Sequence, residues 1–434
     1  MDKNSSIPWY RAILQKSDSH RDLRDFALSV PVFLKWLGIG AMVGLVVGVV
    51  GVAFAYTLAF VNGVRAEHPW LLLGLPFGGL AIVFLYRFFK NTDDKGTNTV
   101  VASIQSSSQI PTKMAPLIFI STAITHLFGG SSGREGAALQ LGGSIAKRLG
   151  IWLKLDENGQ RTIIMCGMSA GFSALFGTPM AAAIFSMEMV SVGVMHYSAF
   201  VPCVTASMTA HFIANFCKIP PEVFPVTGIP AITPVRFLQI VLFAAVAAII
   251  SILFCVLLHK AEHLYEKYIK NQYIRIFTAG VLVILLAAVL QTGDYLGSGM
   301  GIIEHIFHDG KAAPWYAFGL KMLFTALTLG AGFKGGEIVP TFAVGAAFGS
   351  CAAGLLGLPM ELVTACGMVG LFCGVTNSPI TSLLIAFELF GFEGMPYYLT
   401  TVAVSFMLSG YHSLYHKQRI SYSKTETHYW LPDK

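Results

Sequence analysis

Charge is what this chain has least of. Lysine and arginine number 29 and aspartate and glutamate 23 in 434 residues, so charged residues make up 12%, where a soluble globule carries about a quarter. Hydrophobic residues make up 54%. That balance excludes a water-facing globule of this size and indicates a multi-pass membrane protein, with chain enough for about ten spanning or half-spanning helices. Segments alternating polar with apolar residues are missing, which excludes a transmembrane β-barrel. Cysteine is sparse and unpaired in pattern: none of the seven forms a CxxC. Cys166, Cys203, Cys255, Cys366 and Cys373 lie in apolar segments and read as buried thiols. Neither HExxH nor a cysteine–histidine cluster occurs, and His126 has no partner for enzyme chemistry. His259 and His263, spaced i, i+4 beside Glu262 and Glu266, fit a solvated cytoplasmic helix better than a metal pair. The reading is therefore not an enzyme, with no cofactor and no metal. The net charge of +6 is small enough to be the basic cytoplasmic flanks of a membrane protein and calls for no nucleic acid. The first thirty residues mix polar with charged side chains and lack a cleaved-signal pattern.

Long apolar runs take the place of charge. Residues 1–30, with Arg11, Lys16, Arg21 and Arg24, read as a cytoplasmic N-terminal segment. Residues 31–217 form a first membrane unit, opening with a span whose Gly38, Gly40, Gly44, Gly48 and Gly51 permit close helix contact. Residues 218–234 carry Pro220, Pro221, Pro225, Pro230 and Pro234 and form an extramembrane linker. Residues 235–410 form a second membrane unit, whose apolar runs are separated by a charged and polar stretch over 259–272. Residues 411–434 hold the end of the last helix and a basic cytoplasmic tail. The apolar run 114–128 is too short for a comfortable span, and short glycine-interrupted segments mark broken helices lining a site.

The two units share a pattern. Cys166-Gly167-Met168 reappears as Cys366-Gly367-Met368, and at the same offset Phe172 meets Phe372, Pro179 meets Pro379, and Glu188 meets Glu388. At an offset two residues longer, Gly130 matches Gly332, Gly133 matches Gly335, Glu135 matches Glu337, and Gly143 matches Gly345. Two blocks in one order argue for duplication. Membrane transporters use such duplicates, often inverted, to set two broken helices at the midplane.

The stretch around which the rest is organised runs from His126 to Gly143. It sets Arg134 beside Glu135 between apolar runs, where an ionisable group is expensive and faces a protein interior or a water-filled path. Glycines before Glu135 leave backbone N–H groups bare, and a helix begins after it, so the place favours an anion. Glu135 is itself an anion, so its carboxylate would compete with a transported anion and leave when protonated.

Gly133-Arg134-Glu135-Gly136 resembles the signature of the CLC chloride channels and anion/proton antiporters. The resemblance covers roughly 31–417 and implies an all-α polytopic membrane protein with a CLC-type inverted repeat of broken and tilted helices. It implies that Glu135 is the gating and proton-transfer glutamate, with Arg134 and Gly136 in the same anion site. The loop 330–340 resembles the family's second filter loop, in which the amides of Glu337, Ile338 and Val339 would hold the central ion. Lys334 beside them could attract anions or lie as a plain interfacial charge. Gly96-Thr97-Asn98-Thr99-Val100 stands where the family has a serine turn. Asn98, with Thr97 as the alternative, would touch the halide there. Tyr415, in Ser413-Leu414-Tyr415, matches a tyrosine on the last helix that points at the anion, with Tyr411 as the alternative. Exchangers of the family carry an internal acid at the position of Met189, which here is apolar, while Glu188 reads as a structural cap. The helices bearing Glu188 and Glu388 resemble those near the family's dimer interface, so a homodimer with one pore per subunit is implied. The lost serine turn, Ala137 after the signature, Phe333-Lys334-Gly335-Gly336-Glu337 and the lost acid together resemble the bacterial fluoride-exporting branch. That branch has threonine where this chain has Val339. The expectation is fluoride export in exchange for protons, with chloride/proton antiport or passive chloride conduction as alternatives. The expected setting is the bilayer of the inner (plasma) membrane, with both termini cytoplasmic.

Overall fold

The computed structural model describes residues 19–91, 94–106, 110–111 and 113–424, with side chains from residue 26 onward. Most of the expected N-terminal segment and residues 425–434 of the tail lie outside the described residues. The described chain is predominantly helical.

Helix α1, Ser19–Glu67, is 49 residues long. It takes in 19–30, which the sequence leaves as a tail or an interfacial helix. Leucine, alanine and arginine in that stretch are good helix formers, so the change from polar to apolar marks depth rather than a helix start. Gly40, Gly44 and Gly48 face helix α8, Phe200–Phe216. A Cβ added at Gly44 would lie 2.5 Å from the Ala206 carbonyl oxygen and one at Gly40 2.7 Å from that of Pro202. Backbones meet this closely only over glycine.

Helices α2, Leu75–Phe88, α3, Thr97–Ser106, and α4, Met114–Leu127, lead to the first loop. Then come α5, Glu135–Trp152, α6, Glu157–Phe176, and α7, Pro179–Glu188. Past α8 the proline-rich linker is not helical. Phe224 and Val226 donate N–H groups to the Leu389 and Phe390 carbonyls. Helix α9, Pro234–Tyr268, is 35 residues long, so the polar stretch from His259, which reads as a solvated helix, continues the span without a break. Again polarity marks the exit from the apolar layer while the helix continues. Helix α10, Gln272–Leu290, and a short amphipathic helix not foreseen, α11, Met300–Asp309, precede α12, Ala317–Gly330. The second set is α13, Ile338–Leu356, α14, Met360–Thr376, and α15, Pro379–Phe390, followed by α16, Met395–Leu408.

Among the described residues six helices are long and apolar enough to cross a membrane, while α4, α12, α14, α15 and α16 are apolar but shorter. The shorter helices leave irregular backbone between them, which hydrocarbon tolerates only inside protein.

The two sets correspond closely. Gly142 of α5 lies on Gly167 of α6 so tightly that a Cβ at Gly142 would be 2.0 Å from the Gly167 oxygen. Gly345 of α13 lies on Gly367 of α14 in the same way, at 2.4 Å. Glu188, ending α7, accepts the Ile380 and Thr381 N–H groups that open α15, at 3.0 and 2.8 Å. Glu388 in α15 accepts the Met180 and Ala181 N–H groups that open α7, both at 2.9 Å. Such exchange of roles is what a local twofold produces.

This geometry corrects the sequence register of the first block. Gly133 pairs with Gly336, not Gly335, and the helices begin at Glu135 and Ile338. Thus Arg134 corresponds to Glu337, Glu135 to Ile338, and Gly142 to Gly345. The acids Glu135 and Glu337 are not equivalent copies. The later offset holds: Gly167 and Gly367 occupy like places, and both α6 and α14 end in a left-handed residue, Gly177 and Asn377.

The last helix stops at Leu408, and Gly410, at φ +59°, turns the chain away. Residues 411–424 form a non-helical strap, so Tyr415 is not on a helix, contrary to expectation. The Leu414 N–H donates to the Val375 oxygen at 2.9 Å. Two-residue strands β1, Ser191–Val192, and β2, Arg419–Ile420, pair in parallel.

Candidate functional site

The two glycine loops meet as a short antiparallel bridge. Gly133 donates to the Gly336 oxygen at 2.6 Å and Gly336 to that of Gly133 at 2.7 Å. From this junction α5 and α13 depart, neither with a side-chain cap. In α13 the first helical bond is from Thr341 to the Glu337 oxygen. The Ile338 and Val339 amides therefore have no partner within the helix. In α5 the Ala138 amide makes the first such bond, to Arg134, leaving those of Gly136 and Ala137. Bare N–H groups and the positive ends of two helix dipoles thus converge on one place, an arrangement that favours an anion.

Glu135 is fully buried at this junction. Its carboxylate accepts the Arg134 N–H at 3.1 Å and the Arg134 Nε at 3.3 Å. A Cβ at Gly133 would lie 3.0 Å from Glu135 Oε2, so the acid rests on the bridge itself. Arg134 also donates to the Leu175 carbonyl at 3.2 Å and is ion-paired with Glu222 of the linker. One guanidinium thus joins two carboxylates. Burial pushes the Glu222 carboxyl up to about 7, against the pull of Arg134 and with Glu135 and Glu304 nearby.

The second loop places Glu337 against the first. A Cβ at Gly136 would be 2.8 Å from the Gly336 Cα and 3.2 Å from Glu337 Oε2, an oxygen buried without a hydrogen-bond partner among the described residues. Thr97 Oγ1 donates to the Gly136 oxygen at 3.5 Å and accepts from Gln140 at 3.2 Å. Glu337 and Tyr415 both line a cavity of about 870 Å³, with Thr97, Asn98, His259 and Glu262 on its walls. The Tyr415 ring is buried, and its hydroxyl has no partner among the described residues.

The structure gathers Thr97, Arg134, Glu135, Gly136, Glu337, Ile338 and Val339 at one junction, with Tyr415 on the cavity below. Asn98 lines the cavity and its side-chain Oδ1 accepts the Lys417 N–H at 3.1 Å, while Thr97, the alternative, is the residue against Gly136. Tyr411, the other tyrosine considered, is not on the cavity wall. It is 38% exposed and its hydroxyl meets Ser423 at 2.9 Å. Lys334 is drawn to Asp94, 3.5 Å away, and lies over the Tyr86 ring. Met189 is fully buried, and its carbonyl accepts from Gln418 at 3.0 Å.

Three residues escaped sequence reasoning. Lys321 in α12 is fully buried and donates to Ser131 Oγ at 2.9 Å and to the Tyr295 and Gly297 carbonyls at 3.1 and 2.7 Å. A lone lysine in an apolar run was the available signal. Ser132 presents a buried hydroxyl beside Gly335 that has no partner among the described residues. Nothing in the linker's composition marked Glu222 as the partner of Arg134.

The fold and these facing helix starts define a helical membrane protein of the ion-transporting class. The family model described as voltage gated chloride channel matches residues 77–410, and the chain belongs to that family, the CLC proteins. It is 33% identical over 402 residues to a chloride/fluoride channel protein of Pseudomonas syringae pv. tomato, covering 91% of this chain and 88% of the relative. It is 24% identical over 392 residues to an H(+)/Cl(-) exchange transporter ClcA of Vibrio campbellii, covering 83% of each. Among solved structures, a CLC-type fluoride/proton antiporter superposes with a TM-score of 0.86 at 32% identity, covering 89% of this chain and 98% of that one. A slow cyanobacterial Cl-/H+ antiporter shares the fold, with a TM-score of 0.73 at 18% identity over 86% of this chain and 94% of that one.

Proposed function

We propose that this protein is a secondary transporter that exports fluoride in exchange for protons, with Glu135 as gate and proton carrier. The observation that carries the reading is the position of Glu135, buried where two uncapped helix starts converge and held by Arg134. Ionised, the carboxylate takes the place an anion would take. Protonated, it loses its attraction to Arg134 and to the amides and frees that place. Fluoride is strongly hydrated, and only a dense set of donors can replace its shell; the amides of Gly136, Ile338 and Val339 with the hydroxyls of Thr97 and Tyr415 are that set. Similarity to a fluoride/proton antiporter and to a chloride/fluoride channel protein supports fluoride over chloride.

The reciprocal contacts of α5–α7 with α13–α15 support an inverted repeat divided at the linker. By resemblance to the family, the reading extends to a homodimer in the plasma membrane with both termini on the cytoplasmic side. Passive conduction is the second reading, favoured by Met189 in place of an internal acid.

The test is reconstitution in liposomes loaded with fluoride or chloride. Wild-type protein is expected to drive proton uptake as fluoride leaves and to favour fluoride over chloride. Glu135→Gln is expected to abolish proton movement. Uphill proton movement by Glu135→Gln, or fluoride efflux without protons in the wild type, would refute the mechanism.

A further inference from the structure

The inner cavity holds titratable groups for which the anion path has no use. His259, on the polar end of α9, lies against His416 of the strap with ring centroids 3.7 Å apart and 32° between the planes. His416 Nε2 is 3.8 Å from Glu262 Oε2, one helical turn from His259. The pair sits on the wall of the same cavity as Glu337 and Tyr415. The strap is pinned on either side of it: Tyr415 is buried, and Lys417 donates its N–H to Asn98 and offers its carbonyl to Gln105 at 2.7 Å.

We propose that His259 and His416, with Glu262, are the inner proton-handover station of the exchange, taking the place of the acid absent at Met189. This inference rests on the proton coupling proposed above. Two imidazoles at this distance cannot both carry a charge, because like charges in contact repel. The pair therefore holds at most one proton at a time. A proton leaving Glu337 crosses the cavity by water to an imidazole nitrogen and passes on to the inner solution, with no other bond made or broken. Glu262 and Glu337 line the same cavity, and Glu337 Oε2 rests against Gly136, the residue after Glu135.

Other charges facing the pair leave it free for this role. On α9, Glu266 is drawn to Arg275 of α10, 3.6 Å away, and His263 lines the same wall. Across the cavity Lys334 of the second loop is drawn to Asp94, and Lys95 and Lys417 flank the mouth. His412 of the strap acts on His259 as a neighbouring charge. None of these is placed between the pair and Glu337 by a direct contact.

The experiment is proton-coupled fluoride efflux from liposomes by wild type, His416→Gln and the doubly substituted His259→Gln, His416→Gln protein, with and without imidazole in the buffer. His416 is 50% exposed and His259 is half-buried, so these variants are expected to keep the fold, checked by elution as a single species from size exclusion. The double variant is expected to be at least about tenfold slower, and imidazole, small enough for the cavity, is expected to restore the rate where a non-titrating salt does not. A positioning role alone would not respond to a mobile base. An unchanged rate, or a loss that imidazole leaves in place, overturns this inference alone. A wild-type protein that moves no protons overturns the proposed function and this inference with it.

Discussion

At the residue scale, the site distinguishes groups that are bonded from groups that are waiting. Tyr415 and Glu337 each carry a buried oxygen with no partner among the described residues. Such groups are costly unless something outside the protein meets them, and an anion or a water in the cavity is what they face. Tyr415→Phe removes a hydroxyl with no partner among the described residues, so its melting temperature is expected to stay close to wild type. Its affinity for fluoride is expected to fall by about ten- to a hundredfold, the worth of a hydrogen bond to a charged partner. Tyr411→Phe, whose hydroxyl meets Ser423 outside the cavity, is expected to transport as wild type does. Isothermal binding and efflux assays on the two variants decide this, and equal effects would remove Tyr415 from the site. The choice between these tyrosines was open in the sequence because both follow an apolar helix in an aromatic-rich end. Only burial separates them.

At the scale of elements, the carboxylates of Glu188 and Glu388 act as exchanged caps. Each satisfies two N–H groups at the start of the other's helix, where no intrahelical partner exists. Glu188 also accepts the Thr381 hydroxyl at 2.6 Å and is 8% exposed. Glu188→Gln is expected to lower stability by about 1.5–3 kcal/mol, more than Glu388→Gln, as read by thermal unfolding in detergent. If Glu188→Gln instead melted as wild type but lost proton movement, Glu188 would be part of the proton route rather than a cap. The matched Glu188 and Glu388, the duplicated Cys-Gly-Met blocks and the Gly-Arg-Glu-Gly loop were all readable in the sequence, because each is a fixed chemical demand at one position. The register of the first block was not readable. In a glycine-rich loop neighbouring alignments score alike, and only the Gly133–Gly336 bridge decides between them. The lengths of α1 and α9 were also hidden, since hydropathy reports depth and a helix does not end where the apolar layer does.

At the scale of the whole molecule, the strap 411–424 joins both halves around the cavity. Gln418 donates to the Met189 carbonyl at the end of α7 and, at 2.8 Å, to the Thr376 carbonyl at the end of α14. Lys424 closes the far end, bonding to Asn377, to the Phe406 carbonyl at 2.8 Å and to Ser409 at 3.3 Å. Burial pulls this lysine down to about 8 from its ordinary 10.5. Between those values the unfolded chain holds a proton that the docked strap has released, so stability rises with pH across that window and is level below it. The melting temperature of the wild type relative to Lys424→Met is therefore expected to climb from about pH 8 toward pH 10. Since the strap also carries Tyr415 and His416, anything that loosens Lys424 should loosen the cavity wall. A difference between the two proteins that stayed constant over that range would show that Lys424 is not held in the dry seat its contacts describe.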